Sequence, residues 1–562
     1  MQQSFSGGRL GFLCVVAVMA AANAVLAGDD PSKKTAGSDK DYVHNINRRI
    51  AEKWKENKLV PSARASDYDF IRRVTLDIVG RIATIDEIHE FFKDPENQRR
   101  ALLVERLLDS KDYAKNWANL WTVWLLTRGG GLPEHHREMN DWLEQQLAKP
   151  SLSYKNLVTE LLTATGKTNE NGAVNYVLAH LGEPTPPGRM ETEGKYNMVP
   201  LTSRTTRLFL GVQTQCAQCH PHPFNKELNQ THFWGMNAFF RQVDTPRGRA
   251  AAATDRRMMS TVLELVDNTS FNPDARVLYE QRNGVVLPAK AMFLDGTRIG
   301  AANMNRRQEL AKLVTEDKNF SRAYVNRMWA HFFGRGFTMP VDDFQPENEP
   351  SHPELLDELA ESFVKSGYDP RHLIRWICTS EAYNLSSVAN RSNTKQEAEP
   401  FFSRMLLKAM SPEELFDSLL VATRADKFQS KEERTKLRED WLKDLTSSFG
   451  DDEGNEVTFN GTVVQALLMM NGKNLNQAIA NKNMETGKET GRVAMALAKK
   501  STPKAVIEYL YLAALNRPPS GRESTKLLQI YNAAPMKSDS PSHFWQDLFW
   551  ALLNSNEFIL NH

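Results

Sequence analysis

Large apolar side chains recur at three- and four-residue intervals from Tyr42 almost to the end of the chain, and that period dictates helices. Ile46, Ile50, Trp54 and Leu59 open the series. Phe70, Val74, Leu76 and Ile78 continue it, then Leu102, Leu103, Leu107 and Leu108. Trp117, Leu120, Trp121, Trp124 and Leu125 form the densest stripe. Such a stripe can face a cofactor, but large aromatics at helical spacing more often face a neighbouring helix, so it is expected in the core. The pattern predicts a mainly α fold with two helical regions, over residues 41–243 and 301–562.

Between them, residues 244–300 change period. Thr261–Val266 and Arg276–Glu280 read as strands, and Val285-Val286-Leu287 follows Asn283-Gly284, a pair favoured in hairpin turns. This segment is expected to be a small β-rich insert. Gly129-Gly130-Gly131 is a break, and without a following Lys-Ser/Thr it is not a phosphate loop. Thr202–Leu210 reads as a short helix. Ser411-Pro412-Glu413-Glu414 is a helix start, with a capping hydroxyl, a first-turn proline and acids near the positive helix end. Lys427–Lys443 reads as a solvated helix, and Asp451–Glu456 lacks the ligand spacing of a calcium loop.

Of the 562 residues, 41% are hydrophobic and 25% charged, which excludes disordered and multi-span membrane classes. The 70 basic residues nearly balance the 69 acidic ones, so no nucleic-acid partner is expected. Four cysteines exclude a disulfide scaffold.

Residues 1–27 read as a secretory signal. Arg9 precedes the apolar run Leu10–Ala22, and small residues offer cleavage after Ala24 or Ala27. The run is short for a membrane span, although an uncleaved anchor is the alternative. Residues 28–40 read as a linker. No later window is long and apolar enough to span a bilayer. The chain is therefore expected to be exported to the periplasm or cell envelope, with no transmembrane segment after signal cleavage.

One motif carries chemistry: Cys216-Ala217-Gln218-Cys219-His220-Pro221-His222-Pro223-Phe224. Cys-x-x-Cys-His is the attachment pattern of c-type haem. Two thiols one turn apart can each add to a vinyl group, and the next histidine can offer a ring nitrogen to iron. Cys216, Cys219 and His220 are thus the candidate haem c residues. The same atoms allow other readings. Zinc could take Cys216, Cys219 and one of the two histidines, with His222 the alternative ligand, or the cysteines could form a disulfide or stay structural. Pro221 disfavours a helical His220. For a second axial ligand, Met236, His232, Met258, Met259 and Met292 are candidates. Cys378, in an apolar helical context, reads as a buried inert thiol.

Several blocks resemble a known architecture. Phe70–Gly80, with Trp117-Ala118 after it, is similar to the start of the planctomycete cytochrome-associated domain of unknown function. The Cys216–Phe224 motif with Phe239-Phe240 resembles its end. Asn326–Gly336, Asp342-Asp343-Phe344, Ser351–Leu356, Thr379–Tyr383 and Trp550–Phe558 resemble the C-terminal domain of unknown function that accompanies it. The resemblance implies export and an association with cytochrome c domains. It does not supply an activity. This chain departs by having no separate cytochrome domain before Tyr42 and by carrying Pro221 between the histidines.

In the second signature Trp329, Phe332 and Phe333 are expected to pack inward, with Gly334 and Gly336 allowing a tight helix exit. His331, Asp342, Asp343 and His352 could line a hydrolytic site, but Arg335 paired with one of the aspartates as a staple is the simpler expectation. The leading function is an exported redox or electron-transfer protein with covalent haem c and an exported partner such as a cytochrome. The alternative is a non-redox binding or assembly protein with a zinc knuckle or disulfide at the same motif.

Overall fold

A computed structural model of the chain describes residues 38–128, 132–246, 262–270, 276–299, 304–426, 432, 436, 438–442, 473–480, 491–500, 502–533 and 542–562. The segment expected to be a signal, with Cys14, most of the expected linker, Gly129–Gly131, Met258 and Met259, and Asp451–Glu456 lie outside the described residues, as does most of Lys427–Lys443.

The architecture is mainly helical. The Trp stripe lies on the helix Lys111–Leu126 and is core: Trp117, Trp124 and Leu125 are almost completely buried. This helix packs along Pro133–Leu147. The long helix Lys318–Phe333 packs against Pro353–Lys365 on one side and Val199–Leu210 on another. Trp329, Phe332 and Phe333 point into the core as the sequence predicts, and Gly334 takes the left-handed cap at φ 74°. Gly336 serves a different purpose from a helix exit. A side chain there would stand 2.7 Å from Asn326 Oδ1, and the Asn326 amide ties the following turn through Thr338 and Val341.

Among the described residues the strands are short and form three small sheets. Val277–Glu280 and Val286–Ala289 make the expected hairpin, with Val277 opposite Ala289 and Gly284 at φ 79°. The strand Glu264–Asp267 joins a different sheet. It lies antiparallel between Gly166–Lys167 and Val243–Asp244. The buried Arg307 anchors it, bonding Asp267 at 2.7 and 2.8 Å while also reaching the carbonyls of Leu162 and Ala164. A third pair joins Lys408–Ala409 to Leu560–Asn561.

The described residues form two hydrophobic cores. The larger combines residues from Ile46 through Met405, so the helices after residue 304 share the core of the N-terminal region. The smaller is built from Met410 to Phe558 and is entered by Leu76, Ile82 and Ile85.

The helix Asp67–Val79 belongs to both cores, and its polar residues are as buried as its apolar ones. Arg72 donates to the carbonyls of Ala514, Glu557 and Phe558. Arg73 donates to those of Tyr383, Leu385 and His562. Asp77, 1% exposed, accepts from Lys408 Nζ at 2.6 Å, Tyr383 Oη at 2.6 Å and Asn561 Nδ2 at 2.7 Å. Its backbone carbonyl accepts from His331 Nε2 at 2.9 Å. A buried carboxylate is tolerable only when paired and hydrogen-bonded in this way.

Candidate cofactor site

The helix Val199–Leu210 ends at Gly211, whose left-handed φ of 64° turns the chain toward the cysteines. Only glycine fits here, because an added Cβ would lie 2.5 Å from the Phe344 ring. Phe344 N–H donates to the Gly211 carbonyl at 2.8 Å. Asp342, 1% exposed, accepts from Arg207 Nε and from Gln213 Nε2 at 2.9 Å, with Arg327 3.8 Å away. The predicted arginine staple at Asp342 therefore exists, but Arg207 and Gln213 make it in place of Arg335. The segment entering the motif is thereby fastened to the C-terminal part of the chain. Nothing in the sequence links Arg207 to a partner 135 positions away.

The motif begins as one turn of 3-10 helix, Gln215–Gln218. Residues i and i+3 eclipse in this geometry, so Cys216 and Cys219 stand on one side of the turn. Ala217 is the buried residue, while both cysteines are exposed and free of any disulfide. The Gln218 carbonyl is held from behind by Trp234 Nε1 at 3.1 Å and Gln230 Nε2 at 3.2 Å. These two clamps were not evident from the motif.

Beyond Cys219 the chain leaves the helix, as Pro221 requires. His220 is half-buried, with Nδ1 2.7 Å from the Pro221 carbonyl oxygen. A carbonyl can only accept, so Nδ1 carries the ring proton and Nε2 of the neutral ring keeps its lone pair. This is the arrangement that orients a metal-binding imidazole.

His222 is set the other way. It is 4% exposed, and its Nδ1 accepts the backbone N–H groups of Phe224 at 3.3 Å and Asn225 at 3.1 Å. Its neutral ring then carries the proton on Nε2, and the side chain closes the loop. Phe224 stands 64% exposed beside it.

The candidate second ligands that are described have other duties. Met236 is fully buried in the core. His232 Nδ1 accepts the Asn229 N–H as part of a helix cap. Met292 is buried, and its backbone bonds the Gly235 carbonyl. Among the described residues, no three His, Cys, Asp or Glu side chains are gathered in a metal-holding group.

A cleft of about 640 Å³ adjoins the motif loop, walled by Asn225, Glu227, Leu228 and His232 on one side and Asp317, Arg322 and Phe344 on the other. The remaining predicted polar residues are dispersed. His331 is buried against Trp117 and holds the Asp77 carbonyl. His352 bonds Ser351 Oγ and packs on Phe402. Asp343 accepts from Gln345 and Asn348. Burial pushes His331 down to about 4 and His352 to about 3, so both are neutral at pH 7. Cys378 is buried, and its thiol is pushed well up by that burial, in keeping with an inert residue.

A mainly helical chain, with a surface Cys-x-x-Cys-His turn fastened to a C-terminal helical part, is the class of protein defined by this geometry. Residues 45–245 match the family described as PSCyt2, protein of unknown function (DUF1549), and residues 306–453 match PSD1, protein of unknown function (DUF1553). The chain belongs to the proteins that carry these two domains in this order. No curated protein and no solved structure matches it. No helix among the described residues is long and apolar enough to cross a membrane.

Proposed function

We propose that this is an exported redox protein carrying one covalent c-type haem on Cys216 and Cys219, with His220 as axial ligand. The observation that supports it most is the His220 ring, whose Nδ1 is committed to a carbonyl and whose Nε2 keeps a lone pair beside two exposed thiols. The eclipsed thiols suit attachment to two neighbouring vinyl groups, and exposed Phe224 offers apolar surface next to them. Haem would supply one-electron transfer, exchanged with an exported partner such as a cytochrome. The protein's own part is to fix the turn through Trp234 and Gln230 and to orient the imidazole. The zinc reading with Cys216, Cys219 and His222 has less support, because His222 Nδ1 already serves two backbone donors.

The test is production in a host that exports the chain and attaches haem c. The denatured, washed protein is expected to keep a haem absorption band and to weigh one haem more than the processed chain. C216A/C219A should abolish both signals, while His220→Gln should keep the attached mass and shift the spectrum. Colourless wild-type protein, from cells that mature their own cytochromes, would falsify the assignment.

A further inference from the structure

The seam between the two cores opens into a cleft of about 680 Å³, remote in sequence from the cysteine motif. Its walls come from the helices Asp67–Val79, Ile85–Phe91 and Lys111–Leu126 on one side. On the other stand Pro412–Thr423, Arg492–Lys499 and Pro503–Leu515. That volume suits a small molecule.

The cleft is lined by charge of both signs, but the signs do not cancel. Asp112 is taken by Arg81 at 2.8 Å and Asp417 by Lys115 at 3.0 Å. Asp426 also has its own partner. Arg492 spends its donors on the neutral Ala422 and Val421 carbonyls and the Tyr509 hydroxyl, with Asp86 as the carboxylate that acts on it. Arg424, Lys499 and Lys500 have no carboxylate partner among the described residues. Lys500 stands 5.4 Å over the Tyr509 ring.

Arg424 is the most telling of the three. It caps the helix Pro412–Thr423 in the left-handed conformation, at φ 62°, where glycine or asparagine is the usual choice. Its Nε is buried and has no hydrogen-bond acceptor. A buried donor left unmatched calls for an ion or water. The Arg424 residue that carries it lines the same polar cleft as Lys499 and Lys500, two further cations that no carboxylate balances among the described residues.

We propose that this cleft binds a small oxyanion, a phosphate or sulfate group free or on an organic ester, held by Arg424, Lys499 and Lys500. The guanidinium supplies directional donors to the oxygens, and the two lysines supply mobile positive charge. The site is independent of the haem assignment, so either can fail without the other.

The experiment is isothermal titration calorimetry of the full chain with inorganic phosphate, inorganic sulfate and glucose 6-phosphate, against glucose as the uncharged control. Saturable binding of at least one anion and none of glucose is expected. Lys499 and Lys500 are exposed, so K499Q/K500Q should fold normally and weaken binding by about tenfold or more. Arg424→Asn keeps a residue that accepts the left-handed cap and should weaken it comparably, with an unchanged circular dichroism spectrum. Lys365→Gln, on an exposed helix position elsewhere, should bind as wild type. No saturable heat with any of the three anions overturns the proposal. So does undiminished binding by both K499Q/K500Q and Arg424→Asn.

Discussion

Asp77 shows how much can rest on one carboxylate. It takes a cation, a phenol and an amide from three different parts of the chain, the farthest 484 positions away. Asp77→Asn would keep a neutral oxygen beside the Lys408 ammonium but remove its counter-charge, leaving the cation with neutral acceptors only, among them the His331 and Phe332 carbonyls, in a buried setting. Breaking a buried pair by removing one partner costs about 3–5 kcal/mol. Urea unfolding of D77N against wild type measures this, and a loss below about 1 kcal/mol would contradict the role assigned to Asp77. This residue lay in a block whose family resemblance was plain in the sequence, yet its task was not. Periodicity marks Phe70 and Val74 for burial but gives Arg72, Arg73 and Asp77 no partner, because every partner is hundreds of residues distant. The haem candidates were the opposite case: Cys216, Cys219 and His220 are contiguous, and their geometry is local. What spacing could not reveal was the opposite orientation of the two histidine rings, which depends on which backbone groups each ring meets.

At the level of elements, local signals fared well wherever the stabilising contacts are also local. Ser411 caps its helix as its position implies, accepting Glu414 N–H at 3.2 Å while the Glu414 carboxylate accepts Ser411 N–H at 2.7 Å. Glu413 stands in the first turn as expected, and it also makes a two-pronged pair with Arg128 at 2.6 and 2.8 Å. Ser411→Ala should therefore cost about 1 kcal/mol, seen as a lower urea midpoint with an unchanged slope. The hairpin at Asn283-Gly284 was legible for the same reason: Asn283 Oδ1 receives Val285 N–H at 3.1 Å within the turn. The partners of Glu264–Asp267 were not legible. Its neighbours are strands of two residues each, too short to leave any alternation in the sequence.

For the molecule as a whole, buried titratable groups set how stability responds to acid. Burial lowers His180 and His331 to about 4 and His352 to about 3, from 6.5. All three are neutral when folded and would protonate on unfolding below pH 6.5. Their contribution is present above that pH and is lost as pH falls toward their folded values. At pH 5 this amounts to about 2 kcal/mol for each histidine. Burial raises Glu414 from 4.5 to about 7, which acts in the reverse sense: the folded state holds a proton that the unfolded state releases. Its stabilisation grows as pH falls through 7 and offsets about 3 kcal/mol of the loss at pH 5. The histidines outweigh it, so the urea midpoint should fall between pH 7 and pH 5, with net proton uptake on unfolding. A midpoint that rises over that interval would mean the buried rings are not neutral.

The carbonyls of Glu557, Phe558 and His562 closing on Arg72 and Arg73 have a consequence for timing. A polypeptide still emerging residue by residue holds the two guanidiniums long before it holds the oxygens that receive them. Until those last oxygens appear, burying the arginines is unfavourable, and the seam between the cores stays unlatched. The latch therefore closes only once Glu557, Phe558 and His562, 485 or more positions after the arginines, have joined the chain.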